Sequence, residues 1–259
     1  MNAELDDVRR KVWIGNRALH RLGLATGITA GLGHCSMRLP SDPDRFMVKG
    51  REMAVDALAV LRQDDIITCN LDGYMVDGKP GLTQVSEVMI HACIYKFRPD
   101  VQSVVHVHPR FTVLLSTLNV AMTPSGNSGN ELVRRPLPVY PHMKTIQSEA
   151  EGMEVATTLG DRRAVVLRGH GAVTVGNNVS QSVMAMAQLE EQAQVNYYAY
   201  CAEGAGHTHL SEEEMSEVTN TVPIWELPHF REVLRGRERQ RDGVWAYHEM
   251  LATTELFDT

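Results

Sequence analysis

The chain lacks the features that would place it in a membrane, in a disulfide-bonded scaffold or on nucleic acid. Nowhere do about 18 apolar residues run together, and the opening MNAELDDVRRKVW carries acidic groups where a secretory leader needs a basic stretch and then an apolar one. A cytoplasmic protein with no membrane partner is expected. The cysteines, Cys35, Cys69, Cys93 and Cys201, are too scattered for a thiolate metal site and too few for a disulfide framework, so they are expected to be reduced and structural. Positive charge is also short. The 25 Lys and Arg stand against 32 Asp and Glu, and the formal net charge of -7 repels nucleic acid and anionic membranes on average. There is no internal repeat.

What is present is a globular composition, 259 residues of which 43% are hydrophobic, enough for a sizeable core in one large domain or two small ones. Val8, Val12, Gly15, Leu19 and Leu22 recur at helical spacing and predict a helix over roughly residues 5–22, stopped by the glycines that follow. Short β-branched segments around Phe46–Val48, Ile66–Leu71, Val101–His108 and Ala164–Leu167 have strand length, with turn signals at Asp72-Gly73 and Asp77-Gly78. Helical spacing returns over residues 86–97 and about 180–203, and Ser211-x-x-Glu214 is a capping box for a further short helix. Alternation of this kind predicts a mixed α/β layer structure. Residues 1–220 are expected to form the working domain. The segment 221–259, with Trp225, Trp245 and Tyr247, is expected to be an extension packed on that domain or on a neighbouring subunit.

The most informative stretch is Val104-Val105-His106-Val107-His108-Pro109. Side chains two apart on a strand point to one face, so two imidazoles can reach one ion together, and such ligands suit zinc, manganese, iron or cobalt. The same spacing also describes two ordinary polar residues on a strand. A catalytic ion needs at least one more protein ligand, and His170 in Gly169-His170-Gly171 is the best candidate, because its flanking glycines allow a tight loop. Glu87 follows Ser86, a plausible N-cap, so its carboxylate either favours the start of a helix or takes part in chemistry. His91, one turn later, reads as structural. Thr123-Pro124-Ser125-Gly126 reads as a turn, and Met184, Met186, Tyr197 and Tyr198 as packing residues.

Taken in order, Gly33-His34-Cys35-Ser36-x-Arg38, Ser86-Glu87 with His91, Arg98-Pro99-Asp100, His106-Val107-His108-Pro109 and Gly169-His170-Gly171 resemble the class II aldolase/adducin family over roughly residues 7–215. The resemblance implies a three-layer α/β/α domain around a mixed, largely antiparallel sheet, assembled as a homotetramer with active sites at subunit interfaces. It also implies one divalent metal ion per subunit on His106, His108 and His170, with Glu87 as acid/base and as a further metal ligand. A carboxylate near a metal and an apolar substrate is expected to be tuned toward neutrality.

The sequence departs from the sugar-phosphate aldolases of that family. His34 stands where they carry asparagine, and Val48-Lys49-Gly50-Arg51 replaces a neutral Thr/Gly loop. Imidazole, ammonium and guanidinium groups in those places suit a carboxylate, unless Lys49 and Arg51 are only solvated surface charges. With the Gly-His-x-Ser loop and the Arg168-Gly169-His170-Gly171 form, these departures resemble a decarboxylase branch acting on hydroxylated aromatic acids. The expected partner is a small carboxylate, bound by His34, Ser36, Arg38 and Lys49. The alternatives are an aldolase for a small hydroxy-aldehyde or keto-acid, an iron-binding oxygenase-like branch, and an adducin-like interaction module without metal chemistry.

Overall fold

The computed structural model describes residues 3–51, 54–126, 128–222, 226–232 and 242–254. Among these residues, eight strands form one sheet in the order β4-β3-β2-β1-β5-β8-β7-β6. They are β1 (Gly33–Leu39), β2 (Asp42–Lys49), β3 (Ile66–Asn70), β4 (Met75–Asp77), β5 (Ser103–Val107), β6 (Val139–Tyr140), β7 (Ala164–Leu167) and β8 (Gly171–Gly176). Every pairing is antiparallel except β6 with β7, so the expected mixed, largely antiparallel sheet is what the chain forms.

Helices cover both faces. On one lie α1 (Ala3–Arg21), α3 (Arg110–Leu118) and α6 (Val179–Glu203); on the other lie α2 (Val88–Phe97) and α5 (Glu149–Leu159). Shorter helices, α4 (Asn130–Val133), α7 (Glu212–Thr219), α8 (Pro228–Arg231) and α9 (Gly243–Thr253), complete the described chain. The period of two in the strands sorts the core into two clusters. Cys35, Met37, Leu39, Val105, Val107, Ala164 and Val166 face α1 and α6, while Val104, Val165, Leu167, Val173 and Val175 face α2 and α5. Burial on this scale, at about 25 cal/mol per Å² of apolar surface, is the main stabilising term.

The helix expected over 5–22 is α1, with Glu4 and Asp6 in its first turn and His20 and Arg21 in its last, both favourable to the helix dipole. Ser211 caps α7 as its sequence predicts. Two expectations are corrected. The segment from Gly33, read as a loop, is the central strand β1, because Cys35, Met37 and Leu39 supply an apolar face in alternation with His34, Ser36 and Arg38. Ser86 does not cap α2; the helix begins at Val88, Glu87 stands at the N-cap position, and its side chain makes no capping bond. The carboxylate is thereby released for other contacts.

In the C-terminal segment, α9 packs on α1, where Arg17 donates to the Thr254 carbonyl at 2.9 Å and Ala252 is buried. Trp245 packs against the core and Tyr247 is exposed, whereas Trp225 lies outside the described residues. No helix among the described residues is long and apolar enough to cross a membrane.

Candidate metal centre

His106 is the last residue but one of β5, directed with Val104 toward α2, and His108 follows where the strand gives way to α3. The start of α3 is fixed by the half-buried Glu190 carboxylate of α6, which accepts from the backbone N–H groups of Phe111 at 2.8 Å and Thr112 at 3.0 Å. His170 sits in the turn between β7 and β8. Gly169 there has φ 65°, open to glycine without strain, and a Cβ on Gly171 would meet the Val107 carbonyl at 2.6 Å and the His108 ring at 2.9 Å. The two glycines let the imidazoles close on one another.

They close on a common point, joined by Glu87 from the start of α2. His106 Nε2 lies 3.2 Å from His108 Nε2 and 3.2 Å from Glu87 Oε2, and His170 Nε2 lies 3.4 Å from the same oxygen. Tetrahedral ligands held at about 2.1 Å from an ion sit about 3.4 Å apart, so these separations match a shared divalent cation. His106 Nδ1 is 3.0 Å from the Ala172 carbonyl, to which it donates, leaving the Nε2 lone pair for the ion; this outer bond orients metal-bound histidines in general. Glu87 Oε1 accepts from the Ile146 backbone N–H at 2.9 Å, which fixes Oε2 toward the histidines. His170 Nδ1 is buried and has no partner among the described residues. Donor identity, convergence and tautomer all fit a first-row divalent ion.

Electrostatics agree with that use. Burial, and then the neighbouring His106 and His170, hold His108 down at about 3, so its lone pair is free. Burial alone pushes the Glu87 carboxyl up, yet hydrogen bonds and charge from His106 and His170 overcome it and hold the group below the usual carboxylate range. The direction is opposite to the tuning toward neutrality expected from the sequence, because the histidines, not apolar surroundings, dominate.

A small cleft leads away from the cluster. His34, Lys49, Arg51, Asp56, Ser86, Glu87 and His108 line it, with the backbone from Gly31 to Gly33. Lys49 is 1% exposed, which removes the surface-charge reading for that residue. Its Nζ donates to the Gly31 carbonyl at 2.8 Å and to Asp56 Oδ1 at 2.7 Å, while Arg51 Nε lies 3.0 Å from Asp56 Oδ2. Burial pulls the Lys49 ammonium down from its ordinary value and Asp56 opposes the fall. Asp56 was invisible to sequence reasoning, being a lone carboxylate with no partner spacing.

Of the four residues expected to bind substrate, the structure brings His34 and Lys49 to the cleft and turns Ser36 and Arg38 away. Ser36 Oγ is buried between His91 Nδ1 at 2.6 Å and the Tyr95 hydroxyl at 2.7 Å. Arg38 donates to the carbonyls of Pro43 and Tyr95, both at 2.6 Å, and of Val101 at 3.2 Å, and its guanidinium lies 4.7 Å from the Tyr95 ring centre. The reason is positional. His34, Ser36 and Arg38 alternate down β1, so only the first reaches the metal end, and the other two meet His91 and Tyr95 on successive turns of α2.

The sequence matches the Class II Aldolase and Adducin N-terminal domain over residues 11–197, and the chain belongs to this family. It is 33% identical to a 3,4-dihydroxyphthalate decarboxylase of Rhodococcus jostii (strain RHA1), over 71% of this chain and 78% of that protein. It is 29% identical to an L-fuculose phosphate aldolase of Methanocaldococcus jannaschii, over 53% of this chain and 72% of that one. Among solved structures, an aldolase II superfamily protein from Pseudomonas syringae superposes with a TM-score of 0.74 at 21% identity, covering 93% of this chain and 96% of the other, a likeness of fold. Decarboxylases and aldolases are both carbon–carbon lyases, and these relatives support a lyase activity here.

Proposed function

We propose that this chain is a metal-dependent decarboxylase of a hydroxylated aromatic carboxylate. The observation that carries the reading is the wall of the cleft beside the His/Glu cluster, where two cations, Lys49 and Arg51, face one carboxylate, Asp56, and His34 and Glu87 belong to the same lining. Asp56 matches one of the two cations, and with the Glu87 carboxylate taken up by a divalent ion the other would be left for a substrate carboxylate. Relatives that act on 3,4-dihydroxyphthalate support the same choice.

A divalent ion held by His106, His108, His170 and Glu87 supplies Lewis-acid stabilisation, worth several kcal/mol, of the negative charge that develops on the substrate's oxygens. The rest belongs to the chain. Lys49 and His34 orient the carboxylate that remains or leaves. Glu87 accepts the proton of the ring hydroxyl and returns it to the ring carbon as the carbon–carbon bond breaks, so carbon dioxide departs and the ring keeps the bond's electron pair. Residues 1–220 are the catalytic unit in this reading, and 221–259 an extension of it.

The test is substrate trial on the metal-loaded protein. Carbon dioxide release from a dihydroxyphthalate, with no aldehyde from L-fuculose 1-phosphate, supports the reading; the opposite pattern makes the protein an aldolase. Glu87→Gln should keep substrate binding and lose turnover, and near-normal turnover would remove Glu87 from its role.

A further inference from the structure

The polar face of β1 and the facing side of α2 form a continuous hydrogen-bonded line that ends at the cleft. Tyr95 Oη is 2.7 Å from Ser36 Oγ, Ser36 Oγ is 2.6 Å from His91 Nδ1, and His91 Nε2 is 2.6 Å from His34 Nδ1. His91 and Ser36 are fully buried, Tyr95 is 1% exposed and His34 5%. Both nitrogens of His91 are used, whereas His34 lines the cleft and its Nε2 makes no hydrogen bond within the described chain.

Each of these contacts needs one hydrogen, and the hydrogens run in one direction or the other. If His34 Nδ1–H donates to His91 and His91 Nδ1–H donates to Ser36, two hydroxyl hydrogens remain for the single contact between Ser36 and Tyr95. One of them is then buried with no acceptor, since neither hydroxyl has another acceptor among the described residues. If Tyr95 donates to Ser36, Ser36 to His91 Nδ1, and His91 Nε2–H to His34 Nδ1, every hydrogen is placed. His34 must then carry its own proton on Nε2, toward the cleft.

We propose that Tyr95, Ser36 and His91 are positioning residues that fix His34 as the Nε2–H tautomer, so that His34 meets the substrate as a hydrogen-bond donor and neither as a base nor as a metal ligand. The acceptor, an oxygen of a carboxylate substrate, rests on the function proposed above; the tautomer does not. His91 therefore acts on the site although it touches neither the cleft nor the metal cluster.

The experiment is a long-range proton–nitrogen correlation spectrum of the full chain labelled with ¹⁵N-histidine, with the His34 signals assigned by their loss in His34→Gln. The expected result is a protonated Nε2 and a bare Nδ1 at His34; a protonated Nδ1 with a bare Nε2 overturns the proposal. Ser36→Ala removes the hydroxyl that fixes His91, so that either direction leaves one His91 nitrogen unpaired, and should add a second His34 tautomer to the spectrum while the fold persists. A Ser36→Ala spectrum identical to the parent's at His34 also overturns it. Phthalate, added as the probe, should shift the Nε2–H resonance downfield, and an unmoved resonance at saturating phthalate would refute the donor role. Failure of carbon dioxide release with a correct tautomer would sink the decarboxylase reading alone.

Discussion

The two faces of the sheet are cut from the same strands and do opposite things. Toward α1 and α6, β1 presents Cys35, Met37 and Leu39 and β5 presents Val105 and Val107, an apolar layer with little chemistry. Toward α2, the alternate residues of the same strands include, beside Val104, His34, Ser36, Arg38 and His106, all four buried and polar. Burying such groups costs stability unless each finds a partner, and here the partners come from one side of α2, where Glu87, His91 and Tyr95 stand one turn apart. The apolar face holds the molecule together, and the polar face holds the site in place.

Substitutions that respect this division should separate activity from stability. The largest effect is expected from His106→Phe on the polar face, where loss of roughly 4 kcal/mol of charge stabilisation lowers kcat/KM about a thousandfold while the fold survives. Steady-state kinetics beside a urea melt checks it, and retained activity would break the comparison. On the apolar face, Leu189→Ala in the fully buried part of α6 should cost about 3 kcal/mol of stability with kcat and metal content unchanged, read from the shift of the urea midpoint. Gly171→Ala, which drives a methyl against the Val107 carbonyl and the His108 ring, should weaken metal binding roughly 10- to 100-fold, the range seen when supports of metal ligands are lost, and calorimetric titration measures it.

A smaller effect lies in pH. Burial holds His91 at about 3 and His34 well below 6.5, so the folded chain keeps both neutral where the unfolded chain binds protons. Stability of the metal-free protein is therefore full above about pH 6.5 and is lost as pH falls toward 3, by about 1.4 kcal/mol per pH unit for each such imidazole. His91→Phe should make that slope shallower in urea melts between pH 7 and 5.

Much of this division was legible in the sequence. His-x-His on a β-branched stretch and the Gly-His-Gly turn pointed to the cluster, because strand alternation and glycine flanks act locally. The role of β1 was not seen, since its polar alternate face meets a helix and its glycine-rich approach reads as a loop. Ser36 and Arg38 were assigned to substrate for the same reason: the motif gives their order along the chain, but only the register with α2 decides how far each lies from the ion. Glu190 reaches the start of α3 from far along the chain, and Asp56 meets Lys49 from seven residues away across a loop; no helix or strand spacing rule covers either.

The central claim is that Glu87, His106, His108 and His170 hold a single divalent ion at the end of the polar face. Calorimetric titration of the metal-stripped chain with manganese, zinc and cobalt, repeated on His108→Phe and on Leu189→Ala, tests it most directly. The account predicts one tight site per chain, lost in His108→Phe and intact in Leu189→Ala; an unchanged site in His108→Phe would contradict it.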